Sequence, residues 1–209
     1  MNRRFFVGVG FFAFGAMALR SFYSFGSEKR RLFICVSGIR KSDAIRLGWF
    51  IPDEASEKNN TAPFDLVSEK IRPLRKSEAI IFSKKNSHLE KLQGLLGFLG
   101  FADKGIISKK LREDCKDRPL KMDFGKSSLF YFDGLEAGHK GVTEYFEILE
   151  KTEKWVRETL IVHFDRYGKN ATYVICSEIG RDEIPGQDIP GFHHNSEDAA
   201  YGFVSSSES

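Results

Sequence analysis

The long amphipathic stretch from Val142 to Tyr167, set between two short apolar runs, restricts the fold more than any other feature of this chain. Val142, Tyr145, Phe146, Leu149, Val156, Leu160 and Tyr167 fall on one stripe at helical spacing, while Glu147, Glu150, Lys151, Lys154 and Glu158 lie outside it. Gly168 is placed to end that helix. The flanking runs at 129–132 and 172–176 are aromatic and β-branched, which suits strands. A strand, a long helical crossover and a second strand predict a right-handed βαβ unit.

The rest of the chain extends this alternation. Residues 32–37 form a continuous apolar run ending at Gly38, the pattern of a strand covered on both faces. A further strand is expected at 79–82. Over 87–101, Leu89, Leu92, Leu95, Leu96 and Leu99 recur at helical spacing, although Gly94, Gly97 and Gly100 weaken that helix. Residues 52–78 carry Pro52, Pro63 and Pro73 and read as loop around at most one short helix. Residues 104–126 read as charged, irregular chain with one helical turn near 107–111, and the Ser-rich end at 205–209 reads as a flexible tail. The fold class expected is α/β, an open, mostly parallel, doubly wound sheet in one domain spanning 27–209.

Residues 1–26 are expected to stand apart from that domain. Arg3-Arg4 precede an uncharged run from Phe5 to Leu19, and Ala16-Met17-Ala18 reads as a small-residue cleavage site. This is the pattern of a twin-arginine export signal. The run falls short of the roughly 20 residues that a spanning helix needs, and Gly8, Gly10 and Gly15 lower its helix propensity. The expectation is an exported protein, periplasmic or extracellular, with an anchor through residues 5–19 as the alternative. Membrane contact is then confined to this segment.

Charge and cysteine usage narrow the function classes. The 32 basic and 29 acidic side chains leave a net charge of +3, without the concentrated basic face that nucleic-acid binding requires. Cys35, Cys115 and Cys176 have no short spacing, which excludes a sequence-evident zinc knuckle or CxxC redox motif.

Candidate chemistry collects just past the strand-like runs. Glu136 and His139 follow the run at 129–132, Glu178 and Arg181 follow the run at 172–176, and His193-His194 come later. In open α/β sheets ligands bind outside the carboxyl ends of the strands, so these carboxylates and imidazoles are candidate metal ligands. Each also has an ordinary role open to it: an exposed carboxylate, a loop imidazole, or an Arg181 paired with Asp182.

The ordered set, from the run at 129–132 through Asp133-Gly-Leu-Glu136-Ala-Gly-His139, the long helix and Ser177-Glu-Ile-Gly-Arg181 to a final histidine, resembles the C-terminal half of the alkaline phosphatase superfamily. It is most similar to the twin-arginine-exported, sulfatase-like members, over about residues 129–196. The resemblance implies a shortened alkaline phosphatase-like sheet and hydrolysis of a phosphate or sulfate ester. It also implies a divalent metal ion, zinc, calcium or magnesium, that polarises the ester.

By the same resemblance, Glu136, His139, Glu178 and either His193 or His194 are the metal ligands, Arg181 binds the anionic substrate, and Ser42 is the candidate nucleophile. This chain departs from the family where Ser37 replaces the aspartate ending the first strand, and where Ile179 replaces an imidazole. A second metal site is therefore not expected. In the family arrangement the strands bearing Ser37 and Glu178 serve one site, which implies that Cys35 and Cys176 are buried, neighbouring and reduced. Three functions stay open: a hydrolase of a small anionic ester, a catalytically degenerate relative that binds an envelope partner, or an unrelated membrane-anchored protein.

Overall fold

The apolar run that begins at Leu32 forms the middle of the sheet. The computed structural model describes residues 29–52, 71–72, 74, 76–81, 87–101, 119–137, 141–184, 186–187, 189–191 and 201–208. In chain order, the elements begin with β1 Arg30–Val36, β2 Ile39–Arg40, α1 Lys41–Arg46, β3 Lys76–Ile81 and α2 His88–Phe98. They continue with β4 Leu120–Phe124, β5 Ser127–Phe132, the short α3 Gly134–Ala137, α4 Val142–Tyr167, β6 Ala171–Ser177, β7 Gly180–Arg181 and β8 Tyr201–Ser206.

Six of the described strands form one sheet in the order β3-β8-β6-β1-β5-β4. β1 pairs in parallel with both β6 and β5, while β8, β3 and β4 add antiparallel pairings at the flanks. The parallel centre is covered on both faces by helices, as parallel sheets require. Leu32, Ile34 and Val36 point toward α4, joining Tyr145, Leu149, Val156 and Leu160 in one core. Phe33 and Cys35 point the other way and meet Leu92, Leu95, Leu96 and Leu99. β6 alternates in step, with Ile34 opposite Ile175 and Cys35 opposite Cys176. The α/β class expected from the sequence is thus present, with a mixed sheet.

Local signals set the helix ends. Gly168, at φ +53, terminates α4 in the left-handed region that favours glycine. Ser87 and Glu90 close a capping box on α2: the Ser87 side chain accepts from the Glu90 amide at 3.3 Å, and Glu90 Oε2 accepts from the Ser87 amide at 2.7 Å.

Three expectations need correction. The Ser-rich end is not a free tail: residues 201–206 form β8 between β3 and β6. Small hydroxyls suit that position because each finds a partner. Ser205 and Ser77 share a 2.6 Å hydrogen bond, Ser207 Oγ accepts from the Tyr173 amide at 2.9 Å, and Arg31 forms a buried ion pair with Glu208 at 2.7 Å. Part of the segment expected to be irregular is β4, which turns through Gly125 (φ +60) into β5. Its alternation is simple: Leu120, Met122 and Phe124 pack on the α2 side, and Lys121 and Asp123 are exposed. The loop expected over 52–78 also gives way to β3 at Lys76.

No helix among the described residues is long and apolar enough to cross a membrane. The expected export signal and the helical turn near 107–111 lie outside the described residues.

Candidate active site

Three strand ends are tied together where β1, β5 and β6 finish. The Ser37 amide donates to the Phe132 carbonyl at 2.9 Å, and the Gly38 amide donates to the Ile179 carbonyl at 3.0 Å. β2 and β7 then continue as a short parallel pair, Ile39 opposite Gly180 and Arg40 opposite Arg181. Two polar clusters form at this edge, one on each face.

On the α2 face the centre is Glu178, whose side chain is sealed from solvent. The Tyr131 hydroxyl donates to Oε1 at 2.8 Å, His88 Nε2 meets the same oxygen at 2.8 Å, and the Cys35 thiol donates to Oε2 at 3.2 Å. His88 is the first residue of α2, so the capping box that starts the helix also aims the imidazole across the strand ends. Its side chain is 37 % exposed and is the member of the cluster that reaches solvent.

Electrostatics sort the protons. Burial pushes the Glu178 carboxyl up, but the hydrogen bond and charge of His88, with help from Ser37, outweigh it and hold the group below its ordinary value. Burial, and then the Glu178 charge, push the Tyr131 hydroxyl well above its usual range. Burial, then the neighbouring Cys176, then the Glu178 charge do the same to the Cys35 thiol. The arrangement is a sealed carboxylate with two neutral donors and one imidazole. Cys35 and Cys176 are buried and opposite one another in register, as expected.

Ser37 Oγ lies 3.3 Å from His88 Nε2. A serine triad needs the hydroxyl on one imidazole nitrogen and the carboxylate on the other. Here Ser37 and Glu178 meet the same nitrogen. When Nε2 donates its proton to Glu178 it cannot accept the serine proton, so Ser37 is not an activated nucleophile in this geometry.

On the α4 face the centre is Asp43. It accepts from Arg40 Nε at 2.5 Å, the Tyr145 hydroxyl at 2.9 Å and Arg46 at 2.9 Å. The Arg181 guanidinium lies over the Tyr145 ring at 4.8 Å and donates to the Leu135 carbonyl. Arg181 is therefore buried in the packing against α4, on the opposite side of the sheet from His88. Ser42, in α1, uses its amide to donate to Glu183 Oε1 at 3.0 Å, and its Oγ is buried without a hydrogen-bond partner among the described residues.

Of the expected metal ligands, Glu178 has a described side chain. Glu136 lies in α3 with its side chain outside the described residues, as are His139, His193 and His194. Among the described residues no group of three or more His, Cys, Asp or Glu side chains is placed to hold one ion. Both Glu178 oxygens already accept hydrogen bonds, so its surroundings do not present it as an open ligand. His88 and Tyr131 escaped sequence reasoning. The signal for His88 was its place directly after Ser87 in a Ser-x-x-Glu motif; Tyr131, inside an apolar run, carried no signal of its own.

Comparison with protein-family models, curated proteins and solved structures returned no match.

Proposed function

We propose that the protein hydrolyses a small phosphate or sulfate ester at the carboxyl-terminal edge of its sheet, with His88 moving the proton. One observation carries this reading: an imidazole open to solvent stands 2.8 Å from a fully buried carboxylate held in its charged form. Such a carboxylate orients the ring and stabilises the imidazolium that forms when it takes a proton from attacking water. His88, 37 % exposed, then exchanges protons with water and the leaving oxygen. The ester class is supported by the sequence resemblance over residues 129–196, and action outside the cytoplasmic membrane by the leader. A divalent ion would be held by Glu136, His139 and either His193 or His194, where it would polarise the ester.

Turnover of nitrophenyl phosphate and nitrophenyl sulfate by the full chain, with and without added divalent ions, tests the reading. His88→Ala should lower the rate about a hundred- to ten-thousand-fold, and His88→Gln should do the same while keeping a neutral hydrogen-bonding side chain. Turnover by both variants equal to that of the parent chain, or none by the parent chain, would sink it.

A second reading rests on the shared nitrogen. Because Ser37 and Glu178 compete for His88 Nε2, Ser37 is not available as an activated serine. A degenerate relative that binds an anionic ester or an envelope partner without turnover would show saturable binding in calorimetry and no product.

A further inference from the structure

A cavity of about 290 Å³ opens between the carboxyl-terminal half of α4 and the β4–β5 hairpin. Leu32 and Ser128, near the starts of β1 and β5, and Tyr167, at the end of α4, place it toward the amino-terminal ends of the parallel strands. Glu178 lies past the other end of β6, so the cavity is separate from the proposed proton-transfer site.

The walls combine rings and cations. Phe130, Trp155 and Tyr167 supply aromatic surface, and Lys121 and Arg166 stand over it. The Lys121 ammonium lies 5.8 Å from the Phe130 centroid, and the Arg166 guanidinium lies 5.3 Å from that of Tyr167. Arg30 covers the same tyrosine at 5.5 Å. Val162, 66 % exposed, leaves apolar surface uncovered on this wall.

The acids set limits on what fits. Asp123 takes the Ser128 hydroxyl at 2.5 Å and Lys121 at 3.3 Å. Lys121 and Asp123 are 52 % and 61 % exposed, so solvent screens the pair and leaves the ammonium able to serve another carboxylate. Glu158 on the wall repels negative charge, so a dianion is disfavoured more than a monoanion there.

The geometry points to a binding site for a small planar aromatic monocarboxylate. Its ring lies against Trp155 and Phe130, whose centroids are 5.5 Å apart, and its carboxylate sits between Lys121 and Arg166. Ring and charge are both required, because the walls offer each cation beside an aromatic face.

Benzoate titrated into the full chain tests this, read by tryptophan fluorescence. The chain has two tryptophans, and Trp49 is fully buried, so a ligand-dependent change reports on Trp155. Saturable binding is expected with benzoate, and Trp155→Phe should remove the signal. Lys121→Ala and Arg166→Ala should each weaken binding about tenfold, and Asp123→Asn should tighten it by removing the competing carboxylate. Circular dichroism confirms that each surface variant is folded. Benzyl alcohol, which keeps the ring, and acetate, which keeps the charge, should each bind far more weakly. The assignment is overturned if either probe matches benzoate, if benzoate does not saturate at millimolar concentrations, or if the lysine, arginine and aspartate variants all bind as the parent does.

Discussion

The two clusters at the carboxyl-terminal edge differ in what holds their carboxylates. Asp43, facing α4, is held by the guanidiniums of Arg40 and Arg46 and by the Tyr145 hydroxyl. Glu178, facing α2, is held by a phenol, a thiol and an imidazole. Arginine does not give up its proton at any ordinary pH, so the first arrangement is a fixed charge pair. Imidazole exchanges protons near neutrality, so the second can pass one on. Two faces of one sheet edge thus separate a structural ion pair from a site suited to chemistry.

Removing each carboxylate is the strongest way to break that contrast. Asp43→Ala takes the counter-charge from the buried Arg40 and should cost about 3–5 kcal/mol of unfolding free energy. Glu178→Gln keeps an amide oxygen for one of the neutral donors, Tyr131 or Cys35, turns its NH2 toward the other, and should cost less, about 1–3 kcal/mol. Urea denaturation of both variants measures the difference. A larger loss for Glu178→Gln would reverse the assignment of the structural role.

Acid sharpens it further. The Glu178 carboxyl is held below its ordinary value in the folded state, so its contribution is fully present above the unfolded value of about 4.3 and is lost as pH falls through the lower folded value. Stability should therefore decline in that acid window, and Glu178→Gln should flatten the decline. Base acts on the same cluster in the opposite sense. The Cys35 thiol is raised in the folded state, so its contribution is fully present below the unfolded value and shrinks as pH rises above about 8.5. A stability profile of the parent and the glutamine variant that is identical on the acid side would show that Glu178 does not titrate as argued.

The smallest expected effect falls on the helix start that aims His88. Ser87→Ala removes the cap and should cost about 1 kcal/mol. If His88 is a passive surface residue, nothing else should change; if it moves protons, the ester turnover of this variant should fall by more than the stability loss explains.

Much of the fold was legible along the chain. The strand at 32–37, the helix from Val142 to Tyr167 and the strand at 172–176 lie where periodicity placed them, and Gly168 ends the long helix as expected. The site was only half legible. Glu178 was marked by its position after a strand, but its partner His88 lies 90 residues earlier and its partner Tyr131 lies 47 earlier. Arg181, which the family resemblance made an anion holder, lies on the other face, where Tyr145 and the Leu135 carbonyl receive it.

By itself the sequence determined the elements whose cause is local: apolar spacing that matches a helix or strand, a capping box, a glycine at positive φ. Only the tertiary structure decided which polar residues meet. It turned the serine-rich end into β8, because Ser77, Tyr173 and Arg31 were there to satisfy Ser205, Ser207 and Glu208. It also put Cys35, His88 and Tyr131 around Glu178, because sheet register and the helix crossing place them at one strand end. A hydrophobic pattern repeats along the chain and can be read there, whereas a buried polar group owes its charge and its role to partners that only folding brings near.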